Sequence, residues 1–308
     1  MLTRKTLILA KKETTYGTDP TPDTTNDALI AFDLEITPET DPLERVDLSV
    51  SLSRLKELGG KRRVKLSFMT ELRGSGAAGT PPEGIGDLLQ ACGFSETIVP
   101  STSVTYAPLS ATFPSVTLYI YMDGILHQVH GCVGDFELTV VAGEVPMIKW
   151  TLSGLYETPT DVSFPASYSP DATVPVVAKN LTATFDGYAA IIRELNIKMQ
   201  NVITERANLA SVHGIAGFQI TDRNPAGEIM LEAVTLATKN FWTKYEADTV
   251  QVLSIVIGTA AGNIWTITAN QVRIQQIPYE DEDGIWINPI AFQLARNIGN
   301  DELSLAAT

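Results

Sequence analysis

The sequence has 308 residues, of which 44% are hydrophobic and 19% are charged, and this composition excludes a wholly disordered chain. Its formal net charge of -14 disfavours tight nucleic-acid binding, because so acidic a surface repels phosphate groups. The two cysteines, Cys92 and Cys132, are too few for a disulfide framework and predict a protein made in a reducing compartment.

The N-terminal region contains a short apolar run at residues 7–10, which Lys11 and Lys12 interrupt. The run is too short for the apolar region of a signal peptide. No apolar run in the sequence approaches the roughly 18 residues of a membrane helix. We therefore expect a protein made in the cytoplasm, without a membrane partner.

Alternating apolar and polar residues predict strands through most of the chain. The predicted strands cover residues 64–72, 116–122, 136–140, 148–152, 253–257, 264–268, 272–277 and 290–294. Asp123-Gly124 is a strong signal for a hairpin turn. Helical periodicity is confined to residues 83–92 and 236–247. The pattern predicts a mostly β fold with one short helix in each half.

A glycine-rich stretch follows the strand predicted at residues 64–72. Gly74, Gly76 and Gly79 have the G-x-G-x-x-G spacing of a dinucleotide-binding turn. Such a turn must open a helix that binds the pyrophosphate, whereas Thr80-Pro81-Pro82 follows here and the chain lacks alternating strands and helices. The stretch therefore predicts a loop and no cofactor site.

Residues 158–175 are rich in Pro, Ser and Thr and predict a linker. It would separate a first β domain, residues 1–157 with an N-terminal arm, from a second, residues 176–308. Segments 33–49 (DLEITPETDPLERVDLS) and 194–210 (ELNIKMQNVITERANLA) share five of seventeen residues without a gap, where ordinary usage predicts about one. The later predicted elements also follow in the same order, which predicts a tandem duplication.

The same comparison extends to the next strand of each half. It equates the strand at 64–68 with 229–233 and interprets Gly59-Gly60 and Gly227 as the turns that precede these strands. The first half carries extra residues between this strand and the following hairpin, around the glycine-rich stretch.

Two segments, KKETTYGTDPTPDTTNDALIAFDLEI and ELRGSGAAGTPPEGIGDLLQACGF, give the chain a family resemblance. It resembles the tail tube (major tail) proteins of long, non-contractile-tailed bacteriophages. The resemblance implies β-sandwich domains with a flanking helix, six of which form a ring whose inner strands join into a β-barrel. Two domains per chain would make each ring a trimer. Such a closed sheet leaves no strand edge exposed.

The resemblance also implies partners and a location. The chain would associate with itself and with the tape measure, tail terminator and distal tail proteins. Genomic DNA would pass through the lumen without specific binding, and an acidic lumen would suit this role. The protein would be assembled in the host bacterial cytoplasm and reside in the virion tail. We expect the arm, residues 13–26, to be flexible before assembly and ordered against a neighbour afterwards.

Candidate contact residues come from matched and charged motifs. Glu44-Arg45 and Glu205-Arg206 each precede a long segment, residues 46–60 and 207–227, which by the resemblance is a loop that reaches into the next ring. The alternative is an exposed ion pair worth under about 1 kcal/mol. The acidic run at 280–283 predicts a solvated hairpin tip, and a further hypothesis places it against the basic stretch 61–63 of a neighbouring ring. The candidates are Glu44, Arg45, Leu48, Lys61, Arg62, Arg63, Glu205, Arg206, Leu209, Glu280, Asp281, Glu282 and Asp283.

No catalytic or metal-binding constellation is readable, so we expect no enzyme activity and no cofactor. His127, His130 and Cys132 lie close in sequence, but with no fourth ligand in sight they predict ordinary strand residues. An alternative function is a two-domain β-sandwich binding or adhesion module, for example for carbohydrate. It would use exposed aromatic residues, for which Trp242, Trp265 and Trp286 are candidates.

Overall fold

The computed structural model describes residues 2–308 and consists mainly of antiparallel strands. The predicted mostly β class is confirmed. The first half contains β1 (Thr6–Lys12), β2 (Ala28–Leu29), β3 (Ala31–Leu43), β4 (Leu58–Glu71), α1 (Ile85–Ala91), β5 (Phe94–Val99), β6 (Ser103–Pro108), β7 (Val116–Met122), β8 (Ile125–Val141), β9 (Met147–Tyr156) and β10 (Thr160–Asp161). The second half contains β11 (Thr182–Phe185), β12 (Ile192–Lys198), β13 (Asn201–Ala207), β14 (Ile215–Arg223), β15 (Ala226–Glu232), α2 (Phe241–Glu246), β16 (Gln251–Ile257), β17 (Trp265–Gln276), β18 (Glu280–Glu282), β19 (Ile285–Leu294) and β20 (Ser304–Ala307).

The strands form because alternate side chains can be buried on one face. On β4, Leu66 and Phe68 are buried while Lys65 between Val64 and Leu66 is exposed. The predicted turn at Asp123-Gly124 joins β7 to β8, and both of its residues have positive φ, 39° and 112°.

Two predicted elements differ from the structure in extent. The second helix covers Phe241–Glu246 and not residues 236–247. It begins there because the Asn240 side chain accepts a hydrogen bond from the Thr243 N–H at 3.1 Å, which caps the helix. The two strands predicted at 264–268 and 272–277 are one continuous strand, β17.

The same strand order occurs once in each half. In the first half the pairings run β1–β7–β8–β9–β4–β3. In the second half they run β11–β16–β17–β19–β15–β12. In both halves the short helix follows the long hairpin in sequence and precedes the β7–β8 hairpin of the first half or the β16–β17 hairpin of the second. Strands β5 and β6 have no counterpart in this series.

The long hairpin of each half also has the same register. Ile36 pairs with Leu66, and Ile197, which aligns with Ile36, pairs with Gly227. The two hairpins therefore span equal lengths, from 36 to 66 and from 197 to 227. A β-bulge falls at the same place in both. In the first half the pairs around the bulge are Thr40–Arg62, Pro42–Gly59 and Leu43–Leu58. Their equivalents in the second half, in the same order, are Asn201–Arg223, Ile203–Ile220 and Thr204–Gln219.

A second bulge is repeated between the β7–β8 and β16–β17 hairpins. In each, the ladder skips one residue on the first strand and two on the second. The flanking pairs are Val116–Cys132 and Leu118–Val129 in the first half, and Gln251–Val272 and Leu253–Ala269 in the second. Bulges are specific features that persist within families, so their repetition agrees with a duplicated ancestor.

The register corrects the sequence comparison after the first matched strand. By strand register the residue equivalent to Leu66 is Gly227, whereas the alignment of 64–68 with 229–233 equates Leu66 with Leu231. The predicted glycine turns are also wrong. Gly59 and Gly60 lie within β4, and Gly227 lies within β15, where a side chain would overlap the ring of Phe292.

The two halves share one sheet and one core. Strand β12 pairs with β8, and β20 pairs with both β17 and β6. The buried apolar residues form a cluster that continues from the first half into the second. The segment predicted as a linker lies against the first half, where β10 pairs with β8 and the Ser169 N–H donates to the Thr24 carbonyl oxygen at 2.8 Å.

The N-terminal arm is packed in the single chain. The buried Glu13 carboxylate accepts hydrogen bonds from the Ser115 and Thr117 hydroxyls, at 2.5 and 2.6 Å, and from the Gly131 N–H at 2.7 Å. Tyr16 packs beside it. This carboxylate satisfies donors that would otherwise be buried without partners, so the arm is packed at Glu13 within the single chain. Flexibility of residues 13–26 before assembly stays a prediction.

Candidate functional site

The loop of the first long hairpin, residues 44–57, exposes an apolar series. Leu48, Val50 and Leu52 have relative exposures of 106%, 111% and 105%. Val46 and Leu55 are also exposed. Contiguous exposed apolar side chains on a soluble chain mark an interaction surface. We call residues 44–57 the first tip loop.

The loop of the second long hairpin, residues 208–214, occupies the equivalent place. Its apolar residues Leu209 and Val212 are exposed, at 106% and 93%. The Asn208 N–H donates to the Gly214 carbonyl oxygen at 3.0 Å, which closes the loop. We call it the second tip loop. The segment predicted at 46–60 therefore lies largely at a hairpin end, with Leu48 exposed. Of the segment predicted at 207–227, only 208–214, with exposed Leu209, is a loop, because β14 and the start of β15 occupy most of the rest.

Ion pairs join the bases of the two hairpins. The carboxylate of Glu205 on β13 contacts the Lys61 ammonium and lies 3.2 Å from an Arg63 guanidinium nitrogen on β4. Arg63 also contacts Glu39 at 2.9 Å and Asp41 at 3.0 Å. These groups are partly exposed, so the network positions the hairpins more than it stabilises the fold.

The network shifts the ionisation of its members. Hydrogen bonds from Lys65 and then Arg63 lower the pKa of the Glu39 carboxyl, despite an opposing contribution from burial. Hydrogen bonds to Asp41 and then Glu39 raise the pKa of the Arg63 guanidinium. Both directions favour the charged forms, so the base of the first hairpin stays ionised at neutral pH.

The two matched Glu-Arg motifs lie in different environments. Glu44 is exposed and pairs with Arg54 inside the first tip loop at 3.7 Å. Glu205 is partly buried and pairs across to β4. Arg45 and Arg206 are both exposed. Sequence alone could not separate these roles, because the partners of Glu205 lie more than 140 positions away.

The basic stretch is mostly engaged within the chain. Lys61 and Arg63 pair with Glu205, whereas the Arg62 side chain is exposed. The Arg62 N–H donates to the His213 carbonyl oxygen at 3.3 Å, so the second tip loop lies beside β4. A contact between this stretch and the acidic run of a neighbouring ring stays a prediction, and exposed Arg62 is the cation best placed for it.

The acidic run is the tip of the β18–β19 hairpin, as predicted. Glu280, Asp281, Glu282 and Asp283 are all exposed. Asp283 and Gly284 form the turn with positive φ, and the Gly284 N–H donates to the Asp281 carboxylate at 3.1 Å. An additional contact, which the sequence did not predict, is the ion pair of Glu282 with Arg193 on β12.

Three aromatic residues cluster near this tip. Tyr279 stacks on Trp242 with ring centroids 6.3 Å apart and meets Trp286 edge-on at 6.1 Å. Tyr279 and Trp286 are exposed, while Trp242 packs against the core. Trp265, the third tryptophan proposed for ligand binding, is 1% exposed and belongs to the core, so it is not available to a ligand.

The glycine-rich stretch contacts the second half of the same chain. The Gly74 N–H donates to the Asn263 side-chain oxygen at 2.8 Å, and the Gly76 N–H donates to the Gly262 carbonyl oxygen at 3.0 Å. A side chain at Gly74 would overlap the Gly262 carbonyl. The glycines thus allow two backbones to approach closely.

The histidine and cysteine residues belong to the strands. His130 Nδ1 lies 3.3 Å from the Thr117 hydroxyl, and burial raises the pKa of the Cys132 thiol. Within residues 2–308, no three His, Cys, Asp or Glu side chains are grouped so as to hold a metal ion. No helix in that range is long and apolar enough to span a membrane.

Comparisons with known proteins identify one family. A family model described as phage tail tube protein matches residues 3–294, nearly the whole chain. A search of curated protein sequences found no match.

Proposed function

Because the chain belongs to the phage tail tube protein family, we propose that it associates with itself into rings that stack as a hollow tube. In this role it is a structural component of the virion tail and not an enzyme. The observation that carries the proposal is the pair of exposed apolar tip loops, since side chains as exposed as Leu48 and Leu209 need a partner to cover them.

Each ring would contain three chains. The repeated strand order and the repeated bulges support two tube domains per chain, residues 1–157 and 176–308, joined by residues 158–175. Three chains then supply six domains, which gives a pseudo-hexameric ring with inner strands joined into a β-barrel.

The tip loops would contact the next ring. In the first tip loop, Leu48, Val50 and Leu52 alternate with Ser49, Ser51 and Ser53, which is the pattern of a strand with one apolar face. The segment is not a strand in the single chain. It would pair with the neighbouring ring and bury that face there, so that stacking supplies the partner that the single chain lacks.

DNA would pass through the lumen without specific binding. The net charge of -14 supports an acidic lumen, because phosphate contacts to Lys or Arg would retain the DNA. Tape measure, tail terminator and distal tail proteins would bind the tube inside and at its ends. Assembly would take place in the host bacterial cytoplasm.

Electron microscopy of the purified protein tests the proposal. Stacked rings with a central hole are the expected result. Deletion of residues 48–58 should leave soluble chains that do not polymerise. A milder variant replaces Leu48, Val50 and Leu52 by Ser, and its matched control replaces Ser49, Ser51 and Ser53 by Ala. Tubes of normal length from the leucine-and-valine variant would refute the role of the first tip loop, and discrete monomers of the unaltered protein at all concentrations would refute the tube.

A further inference from the structure

Strand β12 is covered on its outer edge by a strand from the first half. It pairs with β8 over five positions, and the central pairs are Asn196–Thr139 and Ile197–Leu138. Ile197 and Leu138 are both almost completely buried, with relative exposures of 0% and 1%. This contact joins the two halves of the chain, and we call it the internal junction.

The equivalent edge of the first half is open. Strand β3 corresponds to β12 by strand order and register, and among the described strands it pairs with β4 alone. Leu34 and Ile36 are only partly buried there, whereas their equivalents Leu195 and Ile197 are buried. The difference follows from the missing strand. An open edge of this length invites pairing with another chain.

The segment equivalent to the end of β8 is also uncovered. On β9, Met147 faces Thr139, and on β19, Ile287 faces Glu280. Leu152 faces Leu66 and Phe292 faces the equivalent Gly227, so Leu152 and Phe292 are themselves equivalent. Met147 and Ile287 each lie five residues before them in the sequence and are therefore equivalent too. Glu280 therefore takes the place of Thr139, and Tyr279 takes the place of Leu138. Tyr279 is 54% exposed where Leu138 is buried.

We propose that β3 of one chain pairs with residues 278–282 of a second copy, so that the internal junction is repeated between chains. This inference rests on the proposed function and specifies the surface through which chains join within a ring. The expected cross-strand pairs are Ile36–Tyr279 and Glu35–Glu280. The two surfaces lie on different halves of the chain, so the contact is head-to-tail and can close a ring. The acidic hairpin tip then lies at this junction, which is an alternative to the predicted contact of the tip with the basic stretch of a neighbouring ring.

Charge makes the junction between chains weaker than the internal one. Internally, Lys198 pairs with Glu137 at 3.0 Å, and the Asn196 amide donates to the same carboxylate at 2.6 Å. Between chains, Glu35 stands opposite Glu280, and like charges directly opposite on paired strands are destabilising. Free chains can therefore stay apart at low ionic strength, which suits a protein that must assemble only where a tube is being built.

Cysteine cross-linking between two single variants tests the pairing. The native Cys92 and Cys132 are buried and do not interfere. Glu35→Cys and Glu280→Cys chains, one of them carrying an affinity tag, are mixed under assembly conditions and oxidised. A disulfide-linked mixed dimer is expected at ten or more times the yield obtained when Asp222→Cys, an exposed position on β14, replaces Glu280→Cys. Equal yields from the two mixtures would overturn the inference.

The same samples separate this inference from the proposed function. Ile36→Asp should leave folded monomers and abolish rings. The deletion of residues 48–58 should instead leave soluble chains that still form single rings but do not polymerise into tubes. Tubes from the Ile36→Asp variant, or tubes assembled from the Glu35→Cys and Glu280→Cys chains without the cross-link, would overturn the junction while leaving the tube intact. If the unaltered protein forms no rings at all, the proposed function itself is refuted, and with it the junction that rests on it.

Discussion

The carboxylate of Glu205 lies 3.2 Å from the guanidinium of Arg63 and also contacts Lys61, so the second hairpin is tied to the base of the first. Both tip loops are carried by these hairpins. Because these groups are partly exposed, the ion pair does little for the core, but it fixes the position of one hairpin relative to the other. Under the proposed function both hairpins carry loops that contact the next ring. Loss of the ion pair should therefore affect assembly more than folding.

Glu205→Gln should lower the free energy of unfolding by about 1 kcal/mol, since the three charged groups are partly exposed and screened by solvent. Amide hydrogen exchange in β13 and β14 should increase at the same time. The matched control is Arg206→Gln, which removes an exposed neighbouring charge. Denaturant unfolding and exchange measured on both variants check the prediction, and equal exchange in the two would contradict it.

Glu13→Ala should destabilise the chain by about 2–4 kcal/mol, because it leaves two hydroxyls and a backbone N–H buried without their charged acceptor. The arm should also become susceptible to proteolysis. Glu246→Ala, at an exposed position, serves as the control and should change stability by less than about 0.5 kcal/mol. A protease-resistant Glu13→Ala chain with unchanged unfolding would show that the arm is held by other contacts.

Some of this fold is visible in the sequence and some is not. The strands and the hairpin tip at 280–283 follow from alternation and turn residues, which are local signals. The equal spans of the long hairpins explain why 33–49 and 194–210 still align without a gap. Composition cannot predict the packing of the arm at Glu13, because it registers the polar residues of 13–26 but not the buried donors that Glu13 contacts.

The candidate surface likewise has features with a local sequence signal and features without one. The alternation of Leu48, Val50 and Leu52 with serines is a local pattern, and by itself it predicts a segment with one apolar face. The contacts of Glu205 and of Gly74 have no such local signal, because their partners lie in the other half of the chain. The Thr80-Pro81-Pro82 that follows is a local signal against a phosphate-binding turn, but nothing local shows that Gly74 approaches a backbone in the other half.

Gly74→Ala should destabilise the chain by about 1–3 kcal/mol, since the new methyl group would overlap the Gly262 carbonyl and force two loops apart. The contact of Gly74 with Asn263 should be lost with it. Ala77→Ser, an exposed change in the same stretch, is the control. Thermal unfolding of both variants decides the matter, and an unaltered midpoint for Gly74→Ala would mean that the loops separate without cost.

The raised pKa of the Tyr16 hydroxyl predicts a loss of stability at high pH. This hydroxyl donates to the Gly131 carbonyl at 2.8 Å and accepts from the Phe218 N–H at 2.7 Å, and burial raises its pKa to about 12. An unfolded tyrosine ionises near pH 10, so the folded state holds the proton more tightly. The resulting contribution is full below about pH 10 and is lost as the pH rises towards about 12.

The difference between the unaltered protein and Tyr16→Phe isolates this group, because Tyr106 and Tyr119 also have raised pKa values. Between about pH 10 and pH 12 the free energy of unfolding should fall by about 2 kcal/mol more in the unaltered protein than in the variant. Chemical unfolding at a series of pH values measures it. Parallel curves would show that Tyr16 ionises equally in both states.

Association between chains should strengthen with salt if Glu35 and Glu280 face each other at the junction between chains. Salt screens exposed like charges over about 10 Å at 0.1 M, so the repulsion across the junction should weaken as ionic strength increases. Sedimentation of the unaltered protein at several sodium chloride concentrations should show more rings at higher salt. The Glu35→Gln and Glu280→Gln double variant should associate more tightly at low salt and lose most of this dependence. Asp222→Asn should behave like the unaltered protein, because this exposed residue of β14 lies outside the two paired segments. A double variant with the full salt dependence would show that the repulsion arises elsewhere on this acidic surface.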